Sequence, residues 1–123
     1  MTKMYHLGTC TTCQAIIKET GVNALAIEMQ DIKSEPVTAA QLDQMKKLAG
    51  SYEALFSRRA LLYKERGLKD KPLTEKDYRK LILEHYTFLK RPVTILGTTI
   101  FIGSEKKAVG SLKLAVEKKS FIK

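Results

Sequence analysis

Only two of the 123 residues are cysteine, and both fall within the first thirteen. Two are too few for the disulfide framework of a small secreted protein, and a reducing cytosol keeps an ordinary structural disulfide open. No apolar run approaches the roughly 18 residues that a membrane span needs. The opening stretch MTKMYHLGTCTTCQ also lacks the apolar core of a secretory signal. The expectation is a cytoplasmic protein with no membrane partner. Tandem repeats, low-complexity tracts and linkers rich in Gly and Ser are absent too. At this length, with 44% hydrophobic residues, a second independent core would have too little chain to be stable, so one domain over residues 1–123 is expected.

What is present in excess is positive charge, 22 Lys and Arg against 13 Asp and Glu, for a formal +9. Residues 1–57 hold 5 basic and 6 acidic groups, residues 58–91 hold 11 and 5, and residues 104–123 hold 6 and 2, so the excess lies in the C-terminal half. Such a balance suits nucleic acid, an acidic protein or a small oxyanion, and composition does not choose among them. A solvated, solubilising lysine surface satisfies it equally.

Periodicity gives the order of elements. Lys3 to Leu7 reads as a strand, Thr11 to Thr20 as a helix closed by Gly21, and Ala24 to Ile32 as a second strand, with Leu25, Ile27 and Met29 alternating. A helical crossover between two strands implies that they are parallel. A helical insert over about 37–90 follows. Thr38 and Gln41 have capping-box spacing, with Val37 and Leu42 as the hydrophobic staple, so a helix should run to about Ala49 and stop at Gly50. Shorter helical pieces are expected at Tyr52 to Phe56 and Arg59 to Arg66, ended by Gly67. Thr74 then caps a helix whose apolar stripe is Tyr78, Leu81, Ile82 and Tyr86, a pattern of ordinary core packing. Pro92 to Leu96 and Thr98 to Ile102 flank Gly97 as an antiparallel hairpin, and a last helix begins near Ser104 with Val109, Leu112, Ala115 and Val116 on one face. The sum is βαβ, helices, then ββα. That is the order of an α/β, thioredoxin-like (glutaredoxin-like) domain, with a mixed sheet of about four strands and a helical insert.

Cys10-Thr11-Thr12-Cys13 lies between the first strand and the first helix. Unpaired N–H groups and the dipole at a helix start stabilise a thiolate, which makes Cys10 the candidate nucleophile. Cys13, enclosed in the first turn, is the candidate resolving thiol, able to attack a mixed disulfide at Cys10. A zinc site would need two further ligands, and only His6 and His85 remain, in separate elements, so no metal is expected. Two inert core cysteines are the plain alternative. Pro92 adds weight to the redox reading, since a proline that opens the third strand of a thioredoxin-like domain is commonly cis and lies beside the cysteine loop.

On these residues the chain resembles the glutaredoxin-like arsenate reductase (ArsC) family, which also contains the Spx-type transcriptional regulators. The anchors are Tyr5-His6-Leu7-Gly8-Thr9-Cys10-Thr11-Thr12-Cys13, the segment Leu55 to Lys64, and Leu89-Lys90-Arg91-Pro92. The resemblance implies that Cys10 attacks an oxidised substrate and that arginines hold a bound anion, with Arg59 and Arg91 on two of the three family positions. Arg59 is preferred to Arg58 because Tyr63 then fits the aromatic position four residues on. Pro92, Thr11 and Thr12 join them as candidate anion or substrate contacts. Guanidinium groups bind tetrahedral oxyanions through forked hydrogen bonds and lower the pKa of a neighbouring thiol, although each arginine alone could equally form a surface salt bridge. The third arginine position reads Ile102, and Gln14 replaces a residue that is often basic in the family.

The resemblance thus implies a thiol–disulfide oxidoreductase acting on a disulfide or small oxyanion. Its reductant would be an external thiol donor such as glutathione, glutaredoxin or thioredoxin, with no bound cofactor. Weak arsenate reduction is one alternative. Another is an Spx-type redox sensor on the RNA polymerase alpha subunit, with the Cys10–Cys13 disulfide as its switch and no direct binding of nucleic acid expected. A third is a binding domain that keeps the scaffold without turnover.

Overall fold

The computed structural model describes residues 2–22, 25 and 27–122, the last four by backbone alone. Its elements are β1 (Thr2–His6), α1 (Thr11–Thr20), β2 (Glu28–Asp31), α2 (Ala39–Ala49), α3 (Leu61–Glu65), α4 (Glu75–Glu84), β3 (Val93–Leu96), β4 (Thr99–Ile102) and α5 (Lys106–Ile122), with short 3-10 turns at Glu53–Leu55, Leu68–Asp70 and Tyr86–Phe88. They form two compact units. One is built from the chain before Pro36 and after Lys90, the other is Pro36–Lys90.

In the first unit four strands make a mixed sheet in the order β2-β1-β3-β4. β1 runs parallel to β2, with Met4 beside Met29, and antiparallel to β3, with Met4 beside Thr94. β3 and β4 form the expected hairpin, whose turn needs the left-handed backbone of Gly97 (φ 67°). The period of two sends Met4, Met29, Leu96 and Phe101 to one face. There they pack with Ile16 and Ile17 of α1 and with Val109, Leu112 and Val116 of α5. On the other face Lys3 is buried, its ammonium 3.7 Å from Glu28 and 5.1 Å from the centre of the Tyr5 ring.

The second unit is helical. Both expected caps form as reciprocal boxes: Thr38 with Gln41 opens α2, and Thr74 with Asp77 opens α4. Phe56 stands at the centre of an aromatic group with Tyr63, Tyr78 and Phe88 at ring-centre distances of 4.8–5.9 Å. A forked Arg79–Asp43 pair (2.8 and 3.1 Å) ties α4 to α2.

Three expectations are corrected in detail. The second strand is shorter than 24–32. Leu25 N–H turns back to Val22 and Ile27 N–H to Leu25, so those donors are spent locally and the ladder begins only at Glu28; Ala24 and Ala26 lie outside the described residues. Tyr86 does not continue the α4 stripe. The backbone becomes extended at His85 (φ −148°, ψ 132°), whose Nδ1 accepts the Thr87 N–H and starts a 3-10 turn. The helix expected over 59–66 is reduced to Leu61–Glu65, because Ala60 is still extended. Among the described residues no helix is long and apolar enough to cross a membrane.

The packing carries a direct expectation for α5. Leu112 is 2% exposed and Leu114 is 61% exposed, two residues apart on one helix. Leu112→Ala should cost about 2–5 kcal/mol of unfolding free energy. Leu114→Ala should change it by less than about 0.5 kcal/mol. Urea denaturation of both variants checks the pair, and equal losses would contradict this packing.

Candidate active site

Where β1 ends, the chain makes a tight turn in which Leu7 C=O accepts the Cys10 N–H (3.0 Å). Cys10 is the N-cap of α1, extended at φ −86° and ψ 113°, and its own carbonyl accepts the Gln14 N–H (3.1 Å). A cysteine is an unusual cap, since the position favours a hydroxyl or carboxylate oxygen that accepts N–H groups of the first turn. Here no capping hydrogen bond closes on the side chain. The N–H deficit of the helix is instead available to a thiolate.

The two sulfurs differ in character. Cys10 is half-buried and Cys13 fully buried. Burial alone pushes the Cys10 thiol up, but the backbone N–H and the thiol of Cys13, the N–H of Thr12 and the charge of Arg91 outweigh it, and the net direction is below the ordinary cysteine value. Cys13 goes the opposite way. Burial raises it to about 11, with the neighbouring Cys10 adding to the rise and the Leu7 backbone and Arg91 opposing it. One thiol is thus primed to ionise while its neighbour holds its proton.

Arg91 reaches the cysteines because of sheet register. β3 is antiparallel to β1 with Val93 opposite Tyr5, so the residues just before Val93 lie beside the end of β1, where the cysteine turn begins. The Arg91 Nη1 is buried and makes no hydrogen bond. The Arg91–Pro92 peptide is cis, and Pro92 is itself buried, its carbonyl accepting the Gly103 N–H (2.9 Å). Thr11 and Thr12 open α1 and are exposed. The structure therefore brings together Cys10, Cys13, Thr12 and Arg91. Arg59 belongs to the helical unit, where it is exposed and donates its backbone N–H to Ser57 Oγ (3.4 Å). Its neighbour Arg58 is engaged by Glu53 (2.6 Å) and Tyr78 (3.1 Å). Ile102 is half-buried opposite Val93.

Near the site, sequence reading names Gly8 only within an anchor motif and Gln14 only as a departure, and passes over Asp31. Gly8 donates its N–H to Asp31 Oδ2 (3.2 Å), and its carbonyl accepts from Gln14 Nε2 (3.3 Å). A glycine in the turn before the helix was the available signal. Its partner at the end of β2 leaves no mark in any local pattern. Among the described residues, no three His, Cys, Asp or Glu side chains come together in a way that could hold a metal ion.

Residues 5–112 match the model of the ArsC family. No curated protein matches the chain. Among solved structures, arsenate reductase from Vibrio cholerae superposes with a TM-score of 0.75 at 18% identity, over 90% of this chain and 96% of that one. A Streptococcus mutans protein described as a possible arsenate reductase superposes with a TM-score of 0.72 at 24% identity, over 91% and 97%. These likenesses establish the thioredoxin-like α/β fold.

The opposed shifts of the two thiols predict a pH profile. Because the folded Cys10 midpoint is held below the ordinary cysteine value, its alkylation rate should reach half-maximum at lower pH than that of a free cysteine peptide. Cys13, raised by burial, should need a higher pH than Cys10 to react. Arg91→Ala removes a charge that favours the thiolate, so Cys10 alkylation at neutral pH should slow about two- to fivefold, and Arg91→Lys should slow it less. Mass spectrometry of iodoacetamide-treated protein reads all three.

Proposed function

This chain belongs to the ArsC family, and we propose that it serves there as a thiol–disulfide oxidoreductase with Cys10 as nucleophile and Cys13 as resolving thiol. The observation that carries the reading is the pairing at one helix start of an accessible thiol held low with a buried thiol held high.

The chemistry follows from that pairing. The Cys10 thiolate attacks one sulfur of a disulfide substrate, a Cys10 S–S bond forms, the substrate S–S bond breaks, and the second substrate sulfur leaves as a thiolate. Once Cys10 has become half of a mixed disulfide its negative charge is gone, which removes one cause of the high Cys13 value. Cys13 then gives up its proton and attacks Cys10, releasing the remaining substrate thiol and leaving an intramolecular disulfide. An external thiol donor, either two glutathione molecules or a dithiol protein such as glutaredoxin or thioredoxin, returns two electrons and two protons.

A second reading draws on Arg91. A buried guanidinium nitrogen without a partner beside a thiol suits a small oxyanion, so arsenate is a candidate substrate. Release of one arsenite per protein, lost in Cys10→Ser, supports that reading, and no release removes it.

The main test is a redox titration with thiol trapping and mass spectrometry. Oxidation by glutathione disulfide should convert wild type to a single species two hydrogens lighter, with Cys10 and Cys13 joined and two glutathione molecules released. Cys13→Ser should instead accumulate an adduct with glutathione on Cys10, and Cys10→Ser should accumulate neither. If no Cys10–Cys13 disulfide forms, the two-thiol mechanism fails.

A further inference from the structure

The turn that presents Cys10 is closed by one backbone hydrogen bond, from the Cys10 N–H to the Leu7 carbonyl (3.0 Å), and a residue inside it is also gripped on both sides. Gly8 gives its N–H to Asp31 Oδ2 (3.2 Å), and its carbonyl accepts from Gln14 Nε2 (3.3 Å). Asp31 is itself fixed. It is the last residue of β2, its Oδ1 accepts the Lys33 N–H (3.0 Å), and its carbonyl accepts the Glu35 N–H (2.8 Å). Its carboxylate therefore joins the turn after β1 to the turn after β2.

Gly8 is glycine for want of space. Its φ is not left-handed, so the backbone would admit another residue. A Cβ built there, however, would stand 2.5 Å from Asp31 Oδ2. The atom it meets is the end of a side chain, so a larger residue would displace the carboxylate and break its bond to the Gly8 N–H without obstructing the main chain. The glycine and the aspartate form one device.

We propose that Asp31 is a positioning residue for Cys10: by holding the Gly8 N–H, with Gln14 holding the Gly8 carbonyl, it fixes the turn that sets the Cys10 sulfur over the first turn of α1. The inference rests on the reading of Cys10 as nucleophile. It differs in sign from what the Asp31 charge alone would do. A nearby carboxylate disfavours a thiolate, so removing it should make Cys10 more acidic. Losing the turn geometry should make Cys10 less acidic, because the sulfur drifts from the N–H groups that favour its charge.

The test is the pH profile of Cys10 alkylation in the full chain, read by mass spectrometry, with thermal unfolding as a parallel check on the fold. Asp31→Ala should raise the Cys10 midpoint and slow alkylation at neutral pH about three- to tenfold, the range expected from losing one such hydrogen bond. Gly8→Ala should do the same, and the double variant should be no slower than either single one, since both break the same contact. Asp31→Asn has one acceptor oxygen, so it serves the Gly8 N–H only by giving up the Lys33 N–H, and it should slow alkylation less than Asp31→Ala does. Gln14→Ala, which leaves the β2 turn untouched, should shift the midpoint in the same direction and stands in if Asp31→Ala does not fold. An unchanged or lowered midpoint in folded Asp31→Ala, or in Gln14→Ala if it must stand in, overturns the proposal. An ordinary midpoint in wild type would instead overturn the nucleophile reading itself.

Discussion

The first turn of an α-helix carries N–H groups that the helix cannot satisfy, and in α1 that deficit meets a sulfur rather than an oxygen. A serine or aspartate at position 10 would close the cap and add stability to the helix. Cysteine leaves the cap open and transfers the unpaired N–H groups to its own ionised form. The helix start thus gives up some local stability, and the thiolate gains what the helix loses. Cys13, one turn in and shielded, shares the same backbone but cannot draw on it in the same way, because burial outweighs every donor around it.

The rest of the first unit serves to keep charge and backbone beside that helix start. β3 lies between β1 and β4 and runs against β1, so the residues that lead into it meet the cysteine turn. Nothing local to residues 7–13 could supply a cation, as that stretch has none. The sheet supplies one from far along the sequence. The hydrophobic cluster of α1, α5 and the sheet then fixes the axis of α1, so the positions of Cys10 and Cys13 follow from core packing at Ile16 and Ile17.

Most of this was legible in the sequence wherever the signal was local. Both capping boxes are written in a few consecutive residues, and α1 and α2 end where expected because Gly21 and Gly50 stop them. The hairpin at Gly97 is equally local. What escaped depended on groups distant in sequence or on competition between hydrogen bonds. Strand alternation over 24–32 looks continuous, yet the donors at Leu25 and Ile27 are taken by turns. The apolar spacing of Tyr86 fits α4, but the His85 ring captures the backbone first. At the site, the cysteines announce themselves by spacing and position, whereas the contact between Gly8 and Asp31 crosses 23 residues and has no pattern to betray it.

The place of Arg91 in the chain has a bearing on biosynthesis. A ribosome delivers the chain from its N-terminus, and domains fold as their parts emerge. Both thiols leave the exit tunnel long before Arg91 and β3 have been made, so a nascent chain carries cysteines with neither the sheet that seats α1 nor the cation that acts on them. The contribution of Arg91 to that reactivity is therefore acquired late, when the closing hairpin docks, and a chain truncated before Arg91 never gains it.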